Sequence, residues 1–189
     1  NRTRDLDRQV TQDALGGQRV STIVEIGCGT GKNTVFLAQI GDSVRALDFS
    51  AGMLERARKK VKAANVTFAE ADLTQPWPLE NGCAELVVCN LVLEHIKDLR
   101  SIFAQAARVL RPDGRFFVCE LHPFRQYEGT VANFQRGGAI VSIDAYVHHI
   151  SDFLAAAEES GLTLSRLREW WHEDDAGKPP RLVSFLFAK

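Results

Sequence analysis

Residues 23–33 read IVEIGCGTGKN, with three glycines in five positions directly behind an apolar run. Few features restrict a chain more. The apolar run reads as a buried strand, and the glycines let the backbone turn through angles closed to other residues. The segment 32–40 then reads as a helix. A strand that turns through glycines into a helix opens a parallel α/β unit, and ligands in such sheets sit beyond the carboxyl ends of the strands. One acid, Glu25, stands inside the apolar run and calls for a partner.

The rest of the chain continues the alternation. Runs at 43–48, 66–71, 84–90 and 115–121 read as further strands. Ser50 is placed to cap a helix in which Met53, Leu54, Ala57 and Val61 recur at helical spacing. A helix over 99–110 stops at Arg111-Pro112-Asp113-Gly114, a stop-and-turn signal. Strands alternating with helices mean an α/β fold: a doubly wound, mostly parallel, Rossmann-like sheet with right-handed crossovers. After His122 the pattern changes. Two extended runs flank Arg136-Gly137-Gly138 within 126–149 and predict an inserted hairpin after the fifth strand. A helix over 152–160 follows, then extended runs at 162–171 and 181–188 that read as an antiparallel pair finishing the sheet. The 189 residues are expected to form one domain: a cofactor-binding core over 20–123, a substrate-side hairpin insertion over 124–150, and a C-terminal helix and strand pair over 151–189.

Composition narrows the function classes. A net charge of -1 gives no nucleic-acid footprint, and no apolar run reaches membrane-spanning length. Cys28, Cys83, Cys89 and Cys119 form no CxxC pair and read as reduced thiols of a cytoplasmic protein. The first residue is Asn1 and not methionine, which leaves a removed leader open.

Three cofactor readings compete for the glycine turn. A phosphate loop needs GxxxxGK followed by Ser or Thr; here Asn33 follows Lys32, and Ile26 holds the first glycine position. A dinucleotide fingerprint needs a third glycine where Lys32 stands. S-adenosylmethionine fits better. Its carboxylate suits backbone N–H groups, and its ammonium suits an acid such as Glu25. Asp48 ends the second strand and can pair with ribose hydroxyls. Asp72, after the third, can accept from an adenine amino group, and Asn90 to Val92, after the fourth, can floor the methionine end.

In that order the stretches VEIGCGTGKNT, ALDFSAGMLERAR, EADLTQPWPLENGCAELVVCNLVLEHI and VLRPDGRFFVCELHP resemble the successive motifs of class I S-adenosylmethionine-dependent methyltransferases over residues 20–123. The resemblance implies a seven-stranded sheet with a reversed last strand. It also implies cofactor contacts at Gly27, Gly29, Gly31, Asp48, Met53, Asp72, Leu73 and Asn90, with Leu91 and His95 near the methyl-donor end. Glu25, Cys28 and Phe49, beside these motifs, complete the expected cofactor set. Relatives have longer N-terminal helices over the pocket than the roughly 20 residues here, so a missing, shortened or disordered lid is expected.

The acceptor is expected to be a small molecule. The Pro-Pro-aromatic signature of nucleobase amino-methylating relatives is replaced by NLVLEHI, and no cysteine follows a proline. His122, at the end of the fifth strand, is the first choice for a general base, with a backbone-capping role as the other reading. His148 and His149 are further catalytic candidates, and as neighbours in an extended run they point to opposite faces. Arg125, Tyr127, Phe134 and Tyr146 are the expected substrate walls. No metal is expected, since no ligand spacing matches. ERARKKVK (55–62) reads as a solvated helix face and HEDD (172–175) as a solvated turn. Two alternatives stand beside the methyltransferase: an aminopropyltransferase-like enzyme, and a catalytically silent partner subunit. The hairpin is open to a second use as the interface of a homodimer.

Overall fold

The sheet grows outward from an inner strand with buried apolar residues on both faces. The computed structural model describes residues 1–127, 133–136, 139–142 and 145–189. β1 (Val20–Ile26) pairs in parallel with β2 (Gly41–Asp48) on one side and β4 (Ala84–Asn90) on the other. β3 (Val66–Glu70) continues beyond β2, and β5 (Leu110–Leu121) beyond β4, both in parallel. β9 (Leu182–Ala188) runs antiparallel to β5, and β8 (Thr163–Trp170) antiparallel to β9. The result is a seven-stranded sheet in the order β3-β2-β1-β4-β5-β9-β8. The chain winds one way through β2 and β3 and then returns to the other side of β1. The switch point therefore lies between the carboxyl ends of β1 and β4, where such sheets form their ligand crevice.

Helices cover both faces. α1 (Arg2–Leu15) and α2 (Thr34–Ile40) pack on one, joining Leu6, Val10, Leu15 and Leu37 to Ile23, Val88 and Phe117 of the sheet. α4 (Leu99–Val109) and α6 (Ile150–Glu159) cover the other, with Phe103 and Phe153 against Phe116, Phe185 and Phe187. β5 shows how one strand serves both layers: Phe116 and Val118 face α4 while Phe117 and Cys119 face α1. The Phe103 and Phe116 rings meet edge-on at 5.1 Å, and each fully buried aromatic of this kind stabilises the fold by about 1.5–3 kcal/mol. α3 (Ala51–Lys60) starts where Ser50 accepts a hydrogen bond from the Met53 amide at 3.3 Å, as its sequence predicts.

Between β5 and α6 the chain forms a short helix, α5 (Pro123–Tyr127), and an antiparallel hairpin of β6 (Asn133–Arg136) and β7 (Ala139–Ser142). Two elements differ from the sequence expectation. β5 begins at Leu110 and carries 111–114 as an irregularity with Asp113 in a left-handed conformation, where a helix end and turn are predicted. The N-terminal segment is also a full helix: α1 is 14 residues long, capped by Asn1, and docked on the sheet. Among the described residues no helix is long and apolar enough to cross a membrane. The four cysteines are free, and Cys28, Cys89 and Cys119 are buried.

Candidate active site

The crevice at the switch point is a cavity of about 480 Å³. Its floor comes from the carboxyl ends of β1 and β4: Glu25, Ile26 and Gly27 from one, Asn90 and Leu91 from the other. The glycine turn adds Cys28, Gly29 and Thr30, α3 adds Met53 and Arg56, and the short 3-10 turn Leu93–His95 adds Glu94 and His95. α1 supplies Thr3, Arg4 and Asp7, so the first helix is a wall of the cavity.

Two glycines shape the turn in different ways. Gly27 has φ 68°, and a Cβ there would lie 2.1 Å from Cγ2 of Val92. Its lack of a side chain seats the turn against the protein itself. Gly29 has φ 53°, and a Cβ there would meet nothing within 4 Å. Asp48 fixes this turn from β2: one carboxylate oxygen accepts from the Gly29 amide at 2.8 Å and the other from the Ser50 amide at 2.9 Å.

The site is rich in buried acceptors. Glu25 is 4% exposed and accepts a 2.5 Å hydrogen bond from the Thr34 hydroxyl. Burial, reinforced by the charges of Asp7 and Asp48, pushes its carboxyl up to about 8 despite that bond. Asp7, buried on α1, takes the Asn33 amide group at 2.9 Å and the Asn90 amide group at 2.6 Å, and burial again raises its pKa. Glu94 has one carboxyl oxygen without a partner and the other 3.8 Å from Nε2 of His95; burial raises it too. Glu120, on β5, holds the β4 end from below by accepting from the Val92 and Leu93 amides at 3.0 and 3.2 Å, and burial pushes it up to about 8. These bonds hold a strained bend, since Leu91 takes a left-handed φ of 54° that costs a non-glycine residue of order 1–3 kcal/mol.

Of the residues singled out from sequence, the cavity gathers Glu25, Gly27, Cys28, Gly29, Met53, Asn90, Leu91 and His95. Others stand apart. Gly31 packs on α3, where a Cβ would lie 2.9 Å from Val61. Leu73 is core, packed with Trp77, whose indole donates to the Leu73 carbonyl. Phe49 is 77% exposed, and the Asp72 carboxylate turns onto the Thr74 amide and hydroxyl instead of toward the cavity.

The expected bases are placed differently as well. His122 is buried outside the cavity lining. Its Nδ1 accepts from the Phe124 amide at 3.1 Å, which leaves Nε2 as the donor to Glu169 at 2.9 Å. Both nitrogens are engaged, one of them by a backbone amide. Nε2 of His148 donates to the Leu93 and Ile96 carbonyls at 3.0 and 2.7 Å, and the Tyr146 amide donates to the Glu94 carbonyl at 2.7 Å. The two residues clasp the turn that bears Glu94 and His95 and do not line the cavity. His149 caps α6 and pairs through Nδ1 with the exposed Tyr127 hydroxyl. Arg125 is engaged by Asp175 at 3.1 Å and by the Pro179 carbonyl at 2.8 Å. Phe134 lies outside the residues whose side chains are described. Sequence reasoning missed Asp7, Asn33, Glu94 and Glu120; of these, Asn33, closing IVEIGCGTGKN, and Glu94, beside His95 in NLVLEHI, carried a local signal.

A model described as a methyltransferase domain matches residues 24–118, half of the chain. The chain belongs to this methyltransferase family. It is 32% identical over 169 residues to an uncharacterized methyltransferase of Emericella nidulans, covering 78% of this chain and 58% of that protein. It is 33% identical over 120 residues to a demethylmenaquinone methyltransferase of Tropheryma whipplei, covering 62% of this chain and 49% of that one. The chain thus spans about half the length of the curated relatives it matches. The fold matches the crystal structure of an S-adenosylmethionine dependent methyltransferase from Mesorhizobium loti with a TM-score of 0.80 at 20% identity, over 99% of this chain and 100% of that one.

Proposed function

We propose that this methyltransferase-family protein uses S-adenosylmethionine to methylate a small molecule. The observation that carries the reading is the cavity at the β1–β4 switch point, whose wall joins the glycine turn to a buried, acceptor-rich end. Glu25 is held there with its charge disfavoured, so a ligand ammonium beside it would restore the carboxylate. The unpartnered oxygens of Asn33 and Asn90 call for donors at the same end. Asp48 stands behind Gly29 and outside the cavity lining; it spends one hydrogen bond per oxygen on the turn, and in this reading its remaining lone pairs would take a ribose hydroxyl. The volume suits a ligand of nucleoside size.

When bound, S-adenosylmethionine supplies a methyl group activated by its sulfonium. The protein's part is to orient the acceptor and exclude water, which accounts for much of the rate in such reactions. If the acceptor must lose a proton, His95 is the imidazole in the cavity wall, with Glu94 beside it. The reading of a small-molecule acceptor draws support from the demethylmenaquinone methyltransferase among the relatives.

Titration calorimetry with S-adenosylmethionine tests the proposal. The unaltered protein should bind, and Asp48→Ala should weaken binding by about 1.5–3 kcal/mol, the scale of hydrogen bonds to a charged group. Absence of binding, or equal affinity in the variant, would overturn it.

A further inference from the structure

We infer that Asp7 is a positioning residue for the amino-acid end of the cofactor, holding Asn33 and Asn90 with their amide oxygens free to accept from the ligand's ammonium. The inference rests on the cofactor reading above and goes beyond it, since it makes the first helix part of the binding site.

The geometry is specific. The two Asp7 oxygens divide the labour: Oδ1 accepts from Nδ2 of Asn90 at 2.6 Å and Oδ2 from Nδ2 of Asn33 at 2.9 Å. Asn90 Nδ2 also donates to the Thr11 hydroxyl at 2.9 Å, and that hydroxyl donates back to the Asp7 carbonyl at 2.8 Å. Helix α1 thus takes up the donor ends of both amides. Their oxygens are left buried and unpartnered, on two residues that line the cavity. Such oxygens are costly to bury alone, so the arrangement asks for a ligand group that brings several N–H donors. A primary ammonium has three. Lys32, which also lines the cavity, directs two of its three N–H groups to α1, donating to the Arg4 carbonyl at 2.6 Å and to Asp5 at 2.8 Å.

Asp7 also decides which way the amides face. An amide side chain can turn over and exchange its oxygen for its NH₂. With the carboxylate in place, that exchange would set oxygen against oxygen. Without it, either amide can present NH₂ to the cavity and repel an ammonium.

The test compares two ligands that share the nucleoside. S-adenosylhomocysteine carries the amino-acid end; 5′-methylthioadenosine lacks it. Calorimetry on the unaltered protein, Asp7→Ala and Asp7→Asn should show a loss of about tenfold or more for S-adenosylhomocysteine in both variants, with 5′-methylthioadenosine affinity held within about twofold. Asp7→Asn keeps the side-chain volume and one of the two hydrogen bonds, and serves where Asp7→Ala does not fold; thermal unfolding reports on both. Equal losses for the two ligands would mean that Asp7 only supports the fold. No loss for either would mean that it does nothing for binding. Both results overturn the inference while leaving the cofactor reading intact. Failure of the unaltered protein to bind either ligand would overturn the cofactor reading, and this inference with it.

Discussion

Removing the charge of Glu25 should change how stability responds to pH in the ligand-free protein. The carboxyl rises from an ordinary 4.5 to about 8 because it is buried. The folded state then binds a proton that the unfolded chain gives up near pH 4.5. Stability from this group is complete below pH 4.5, falls as pH rises toward 8, and levels off above it. At about 1.4 kcal/mol for each tenfold change in proton affinity, the full displacement corresponds to roughly 5 kcal/mol as an upper bound. Glu25→Gln keeps an oxygen to accept from Thr34 and has no proton to lose. Glu120, displaced into the same range, leaves the variant with a pH response of its own. The two curves should therefore both fall between pH 5 and 8.5, with the unaltered protein falling further by between ~2 and ~4 kcal/mol. Even ~2 kcal/mol moves Tm by about 4–8 °C in a chain of this size. Thermal unfolding across that range measures it directly. Saturating S-adenosylhomocysteine should flatten the unaltered protein's curve, since an ammonium favours ionised Glu25, and leave the slope of Glu25→Gln alone. Parallel curves for the two proteins without ligand would refute the reasoning, for Glu25 would then titrate as it does in the unfolded chain.

Two further outcomes follow from the site. Gly27→Ala places a methyl group 2.1 Å from Val92 at a φ of 68°, so denaturant unfolding should show a loss of about 1–3 kcal/mol; unchanged stability would mean that the turn relaxes freely. His122→Ala should lower stability by about 1–2 kcal/mol through its lost bonds to Phe124 and Glu169, yet leave S-adenosylmethionine affinity within twofold by calorimetry. A large loss of affinity would place His122 in the binding machinery after all.

How much of this could be read from the sequence depended on whether the signal was local. The strands at β1, β2 and β4 announce themselves as apolar runs, and the glycine turn reports a backbone conformation that few other residues adopt. The crevice follows, because winding order alone places it between β1 and β4. α1 was hidden. Leu6, Val10 and Leu15 are its main apolar anchors, set among arginines and aspartates that read as solvated. Asp7 looks like one more surface charge until Asn33 and Asn90, 26 and 83 residues away, close around it. The same holds for His122. Its partner Glu169 lies on β8, brought near only because β9 inserts between β5 and β8. Asp72 is engaged for a different reason: a Thr two positions on offers its carboxylate a local turn, a competition that strand-end position does not reveal.

The anchoring of α1 has one more consequence. Arg181 reaches the Thr3 hydroxyl at 3.2 Å while gripping buried Asp175 at 2.6 and 2.7 Å, and Arg2 pairs with Asp174 at 2.9 Å. The opening helix is therefore stitched to the loop that precedes the final strand. Any motion that swings that helix aside to admit a guest must also unfasten a segment some 170 positions later, so the doorway answers to two stretches of chain far apart in sequence.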